Sequence, residues 1–258
     1  MEIKDRIAII TGGGGGIGSA TARKWIAEGA RAVVVADYDE EAAASVASEL
    51  GCVGVGLDVT DEKALEQLVE ETESTLGPVD IFFSNAGAGA QGGVEASNEA
   101  WQSQWELHVM SHVYAARAVL PSMTARGDGY LIQTASAAGL LAAVGSVPYS
   151  VTKAACIKLE ETLAISHGDD GIKVSVLCPQ GVNTAMAPQQ LGDGGTDGIV
   201  EAEYVAEVIT EAVREERFLI LSHPEVQTYV ERKAGDPDRW LKGMRRLRRR
   251  SFDLLEGA

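Results

Sequence analysis

The strongest constraint on this chain is a glycine run at its start. Residues 11–18 read Thr-Gly-Gly-Gly-Gly-Gly-Ile-Gly. The run follows the apolar, strand-like Ile7-Ala8-Ile9-Ile10 and precedes a helical pattern over 17–27 that carries Trp25 and Ile26. A flexible linker has no reason to lie between a buried strand and an amphipathic helix. Strand, glycine turn and helix in this order are the context of a dinucleotide-binding turn. Glycines let the backbone turn tightly and approach a pyrophosphate. The helix N-terminus then offers free N–H groups and a positive dipole end. Gly12, Gly16, Ile17 and Gly18 are the candidate phosphate-side residues.

A second apolar strand, Ala32-Val33-Val34-Val35-Ala36, ends at Asp37, 19 residues beyond Gly18. An acid roughly 20 residues after the turn accepts hydrogen bonds from the adenosine ribose and repels a 2′-phosphate. Tyr38 follows, and the glycine run holds no Lys or Arg, so NAD is expected over NADP. A third strand-like stretch, 53–57, leads to Asp58 and Val59, candidates for the adenine edge.

The second constellation lies at Ser136, Tyr149 and Lys153. Residues four apart on a helix share a face, so the Tyr149 phenol and the Lys153 ammonium can lie side by side. A free tyrosine has a pKa of about 10, and a nearby cation lowers it. Ser136 could hold the oxygen whose proton is moved. Alone, this spacing also fits a partly exposed helix face. Taken with the glycine run and Asp37, it points to proton transfer beside a nicotinamide cofactor.

With these residues in place, the chain resembles the short-chain dehydrogenase/reductase family, through TGxxxGxG at Thr11–Gly18 and YxxxK at Tyr149–Lys153. Asn85-Ala86-Gly87 matches the motif beside the nicotinamide ribose. Asp58 matches the adenine-site acid, and Ser136, Tyr149 and Lys153 match the catalytic set. Pro179 and Thr184, with Val182 between them, match the segment that holds the carboxamide. The resemblance implies an NAD-dependent alcohol dehydrogenase or ketone reductase with Tyr149 as acid/base, assembled as a homodimer or homotetramer through its fourth and fifth helices. A catalytically weak NAD-binding protein and non-redox lyase or epimerase chemistry on the same scaffold stay open as alternatives.

Two positions depart from the family pattern. Counting thirteen residues back from Pro121 and twenty-eight back from Ser136 places His108 where the family has a helix-interrupting asparagine in a proton path. Histidine carries a donor and an acceptor and titrates near neutrality. It is expected either to continue that relay or to fill the site passively. A His108/His112 metal pair lacks a third ligand, and no metal is expected. Gln180 stands where glycine usually follows Pro179, and its amide could face the substrate. Ala138, Leu140 and Met186 are further substrate-side candidates. With Leu141, Val144 and Val147 they describe an apolar pocket. No nearby Arg or Lys offers an anion clamp, so an apolar alcohol or ketone is expected.

Alternating strands and helices predict an α/β, doubly wound Rossmann fold with a seven-stranded, mostly parallel sheet. Strands are predicted near 6–10, 32–36, 53–57, 79–84, 130–135, 172–177 and 217–221. Helices are predicted near 16–28, 39–50, 61–76, 99–126, 149–167 and 201–214. One domain spans 1–258, with a flexible substrate lid at 185–200 and a C-terminal extension at 223–258. A net charge of −16 argues against nucleic acid. No run of about 20 apolar residues reads as a membrane span. A charged N-terminus and three cysteines without metal-ligand spacing fit a cytoplasmic protein. Residues 239–250 hold seven cations and no acid, and subtracting these from −16 leaves −23 on the rest of the chain. That segment is expected to clasp the acidic body or a neighbouring subunit, with a solvated tail as the alternative.

Overall fold

The computed structural model describes residues 1–185 and 196–256. The strands are β1 (Ile7–Thr11), β2 (Ala32–Asp37), β3 (Val53–Gly56), β4 (Ile81–Ser84), β5 (Gly129–Thr134), β6 (Ile172–Leu177), β7 (Val182–Asn183), β8 (Val200–Glu201) and β9 (Leu219–Ile220). The main sheet runs β3-β2-β1-β4-β5-β6-β9, and every pairing in it is parallel. All five β1 residues are buried, because a parallel sheet is covered on both faces. Ala8 and Ile10 join one core layer, and Ile9 between them joins the other.

The helices are α1 (Gly16–Ala27), α2 (Glu40–Leu50), α3 (Glu62–Thr75), α4 (Asn98–Trp105), α5 (Ser111–Arg126), α6 (Ala137–Leu140), α7 (Val147–His167), α8 (Ala202–Glu215), α9 (Glu225–Gly235) and α10 (Pro237–Glu256). One layer is closed by Trp25 of α1 packed with Val205, Ile209 and Val213 of α8. The Trp25 indole N–H donates to Thr210 Oγ1 at 3.2 Å, so the buried ring keeps a polar partner. The other layer joins Leu65 and Leu68 of α3 to Val119 and Met123 of α5.

The chain leaves β1 for β2 on one side, then returns across the sheet to β4 on the other. The C-terminal ends of β1 and β4 therefore flank a crevice, the place where open parallel sheets bind ligands. Thr11 and Asn85 meet there. The fold class is the one expected from the sequence, with all seven main strands parallel.

Two local features bear on the site. The single helix expected over 99–126 is two helices joined by a π-helical turn, Glu106–Met110, which contains His108. An extra residue in one turn bulges the backbone, and such turns collect at functional positions. The C-terminal extension forms α9 and α10. Most of the expected lid, including Met186, lies outside the described residues. No helix among the described residues is long and apolar enough to cross a membrane.

Candidate active site

The glycine turn is held by contacts that exclude side chains. Gly12 has φ +62°, and a Cβ there would stand 2.9 Å from Ala86 Cα. Gly16 has φ +52°, and a Cβ there would come 3.0 Å from Thr184 Cγ2, so Thr184 lies against the phosphate-side turn. Gly15 caps α1 without a side-chain hydrogen bond. The first-turn N–H groups are thus available to an anion. At the β2 end, Asp37 Oδ2 accepts the Gly14 N–H at 2.9 Å and Oδ1 accepts the Asp39 N–H at 3.1 Å. These bonds fix the carboxylate beside the turn. Asp58 Oδ1 accepts from Thr60 N and Oγ1 at 2.9 and 2.7 Å.

Asn85 ties the switch point together. Its amide nitrogen donates to the carbonyls of Thr11 and Gly12, both at 3.2 Å, and its Oδ1 accepts from Thr134 Oγ1 at 3.0 Å. The Thr134 carbonyl in turn accepts from Lys153 Nζ at 2.7 Å. A chain of hydrogen bonds therefore runs from the glycine turn through β5 to the lysine of α7.

Ser136 caps α6, its hydroxyl accepting the Ala138 N–H at 3.1 Å. The next residue is anchored to the end of β6, with the Ala137 N–H donating to the Pro179 carbonyl at 2.9 Å. The Ser136 hydroxyl also acts on the Tyr149 phenol, favouring its ionised form. α6 and α7 touch at Gly139, where a Cβ would come 2.6 Å from the Lys153 carbonyl. Lys153 Nζ lies 5.8 Å from the Tyr149 ring centroid.

Burial raises Tyr149 above the ordinary tyrosine value, and the Ser136 hydroxyl opposes it. Burial also lowers Lys153. Among the protein's own groups, desolvation is the largest influence on both side chains.

His108 is fully buried. Its Nε2 accepts the Ala88 N–H at 3.2 Å, so the neutral ring carries its proton on Nδ1, 3.1 Å from Thr152 Oγ1. Its ring meets Tyr149 edge-on, centroids 5.4 Å apart. Burial first, then the Lys153 charge, push its pKa far below the ordinary histidine value. His112 turns elsewhere, its Nδ1 3.2 Å from Cys156 Sγ. Cys156 and Cys178 are buried free thiols. Burial pushes Cys178 up to about 12 and raises Cys156 as well, which keeps them protonated and unreactive.

A cavity of about 2250 Å³ runs across the sheet edge. This is more than twice the usual upper size for one small ligand, about 1,000 Å³. Gly12, Gly16, Ile17, Asp37, Asp58 and Val59 line one end. Asn85, Ala86 and Gly87 line its middle, with Pro179, Val182 and Thr184. Ser136, Ala138, Tyr149, Lys153 and Gln180 border the other end.

Three expected residues stand back from it. Gly18 packs under the turn, His108 lies behind Gly87, and Leu140 packs on the Cys156 cluster while Leu141 faces the cavity. The absence of a cation near the substrate stretch holds only along the sequence. In space, Arg232 of α9 and arginines of α10 line the same cavity. Among the described residues, Arg239, Lys242, Arg245, Arg246, Arg249 and Arg250 make no salt bridge.

The model of the short chain dehydrogenase family matches residues 6–193. The chain belongs to this family. As a short chain dehydrogenase it is an oxidoreductase of Rossmann type. It is 34% identical to meso-2,3-butanediol dehydrogenase of Serratia marcescens, covering 81% of this chain and 87% of that one. It is also 34% identical to 1-deoxy-11-beta-hydroxypentalenate dehydrogenase of Streptomyces exfoliatus, covering 88% and 86%. Among solved structures, a short chain dehydrogenase/reductase of Burkholderia phymatum in complex with NAD superposes with a TM-score of 0.84 at 30% identity, covering 92% and 96%.

Proposed function

We propose that this short chain dehydrogenase interconverts a secondary alcohol and a ketone with NAD(H), Tyr149 serving as the acid/base. The observation that carries this reading is the joining of Ser136, Tyr149 and Lys153 to the Asp37 glycine turn in one cavity. The butanediol and hydroxypentalenate dehydrogenases among its relatives support it. The cradle of Gly12 and Gly16, the start of α1 with no side-chain cap and the fixed Asp37 carboxylate fit a dinucleotide. Bound there, the nicotinamide accepts or supplies the hydride.

In oxidation, Tyr149 removes the substrate hydroxyl proton. Ser136 donates its hydroxyl proton to the substrate oxygen, while one of its two lone pairs takes the Ala138 N–H. Lys153, fixed on Thr134, supplies positive charge beside the tyrosine. The test is a panel of alcohols and ketones with NAD(H) and NADP(H), followed at the absorbance of reduced nicotinamide. No turnover on any member would overturn the reading.

Asp37 sets the cofactor choice in this proposal. A carboxylate and a phosphate 4 Å apart repel by as much as about 4 kcal/mol at the effective dielectric of a protein surface. Asp37→Asn keeps the acceptor for Gly14 and removes the charge. Its NAD/NADP ratio of kcat/KM is expected to fall by about 10-fold or more, since 1.4 kcal/mol is one decade. An unchanged ratio would remove Asp37 from the selectivity.

His108 is assigned as a positioning residue. Both ring nitrogens are committed, to the 85–88 turn and to α7, and a relay through the ring would have to break one of these bonds. His108→Ala is expected to lower kcat by up to about 10²-fold, the cost of a misplaced catalytic group, with the shape of the pH–rate profile unchanged. His108→Gln, which retains a donor and an acceptor, should recover part of it. A relay role would instead show as a shifted profile in the alanine variant. Exposed apolar residues Trp105, Val151 and Ile165 on α4 and α7 support pairing of subunits through these helices.

A further inference from the structure

The C-terminal helices bring to the catalytic cavity a charge that the sequence near Tyr149 lacks. Lys233 of α9 donates to the carbonyls of Leu140 at 2.6 Å and Leu141 at 3.1 Å, in the turn just after Ser136. Its ammonium also stands 5.0 Å from the Trp240 ring centroid, a cation–π contact that ties α10 to the same anchor. Lys233 and Trp240 thus tie α9 and the start of α10 to the turn after Ser136.

The faces of α10 are sharply sorted. Trp240, Met244 and Leu247 are half-buried and line the cavity, at the spacing of one helical face. Arg239, Arg246 and Arg250, at i, i+7 and i+11, share one flank of that face and line the cavity, as do Arg245 and Arg248 from other positions around the helix. Lys242 and Arg249 lie on the opposite side of the helix and are absent from the lining. Two acids, Asp236 and Glu95, line the cavity beside these arginines, and each holds a backbone N–H. Asp236 Oδ1 accepts the Arg239 N–H at 3.0 Å, and Glu95 Oε1 accepts the Gly93 N–H at 2.9 Å. Although residues outside 239–250 carry −23, none of the three flank arginines is drawn into a salt bridge among the described residues. Six arginines in the lining outnumber these two acids, and an excess of one sign of charge in a cleft concentrates ligands of the other sign. Guanidinium groups match carboxylate and phosphate oxygens in pairs.

We propose that the substrate of this site is amphipathic, an apolar body ending in a carboxylate or phosphate, and that Arg239, Arg246 and Arg250 bind that anionic group while Trp240 and Met244 cover the apolar part. This rests on the dehydrogenase reading above and names the class of substrate it takes.

The test uses matched sets of straight-chain ketones of graded length. Each is offered as the ω-carboxylate, its methyl ester and the ω-phosphate, with NADH and the full-length protein. At a length that spans from Tyr149 to α10, one of the charged forms is expected to exceed the ester in kcat/KM by about 10-fold or more, an advantage that shrinks as salt is raised. Which of the two leads identifies the anion.

In Arg239→Gln/Arg246→Gln/Arg250→Gln that advantage is expected to vanish through a higher KM for the charged forms. Lys242→Gln/Arg249→Gln, on the far face, is expected to keep it. Esters turned over as well as both acids at every length would overturn the proposal and leave the dehydrogenase reading standing. Equal losses in the two variants would also overturn it, because they would reduce the effect to net charge. No reduction of any ketone would instead sink the dehydrogenase reading.

Discussion

Tyr149→Phe is expected to lower kcat by about 10²–10⁴-fold, the range supplied by a positioned general acid or base, while NADH binding persists. Phenylalanine keeps the ring that meets His108 edge-on and removes only the oxygen on which Ser136 acts. The loss is therefore chemical, with little change in packing. Fluorescence titration with NADH and steady-state rates separate the two. A variant that binds NADH and keeps near-wild-type turnover would overturn the assignment.

The pH dependence carries a sign. Ketone reduction needs the phenol, and alcohol oxidation needs the phenolate. Because the protein's own groups hold Tyr149 above the ordinary tyrosine value, reduction should stay level through neutral pH. Oxidation should climb as the pH rises toward the tyrosine pKa. Both limbs should disappear in Tyr149→Phe, and a limb that survives belongs to another group.

What could be seen in the sequence was local. The β1 residues, the glycine turn and Asp37 declare themselves because strand periodicity and a tight turn act over a few neighbours. Tyr149 and Lys153 do so because helix geometry fixes the i, i+4 relation. The link from Thr11 through Asn85 and Thr134 to Lys153 joins three strands and a helix, and no spacing along the chain encodes it. His108 could be located by counting, but its role could not. A histidine in water titrates near neutrality, and only burial against Ala88 and Thr152 turns it into a neutral wedge. The arginines of α10 were visible as a basic run. Their direction depends on Lys233 reaching Leu140 and Leu141, some 90 residues earlier in the chain. The signal that was available was the alternation within that run, with Trp240, Met244 and Leu247 on one face and Arg239, Arg246 and Arg250 beside them.

The second large effect concerns the glycine turn. Gly18→Ala is expected to destabilise the protein and to weaken NADH binding together. A Cβ at residue 18 would lie 2.2 Å from the Gly12 carbonyl oxygen and 2.9 Å from Asn85 Nδ2. Alanine gains about 1 kcal/mol of helix propensity over glycine, which works against the clash. That gain is the smaller quantity, because the nearest atom is backbone. The Gly12 oxygen must retreat by most of an ångström to reach even a tight contact, and it accepts one of the two Asn85 hydrogen bonds that close the switch point. Overpacking of this kind costs about 1–3 kcal/mol, or roughly 2–12 °C in Tm for a chain of this size.

Gly15→Ala is the control. A Cβ there meets nothing within 4 Å, and its φ of −171° is extended backbone open to any residue. Its Tm should stay near that of the parent, so a change in its NADH affinity would report only the approach of the cofactor to the turn. Thermal unfolding and NADH titration of the two variants make the comparison. A Gly18→Ala protein as stable and as tight-binding as the parent would show that the turn yields, and that close packing of α1 on Gly12 is not what shapes the phosphate cradle.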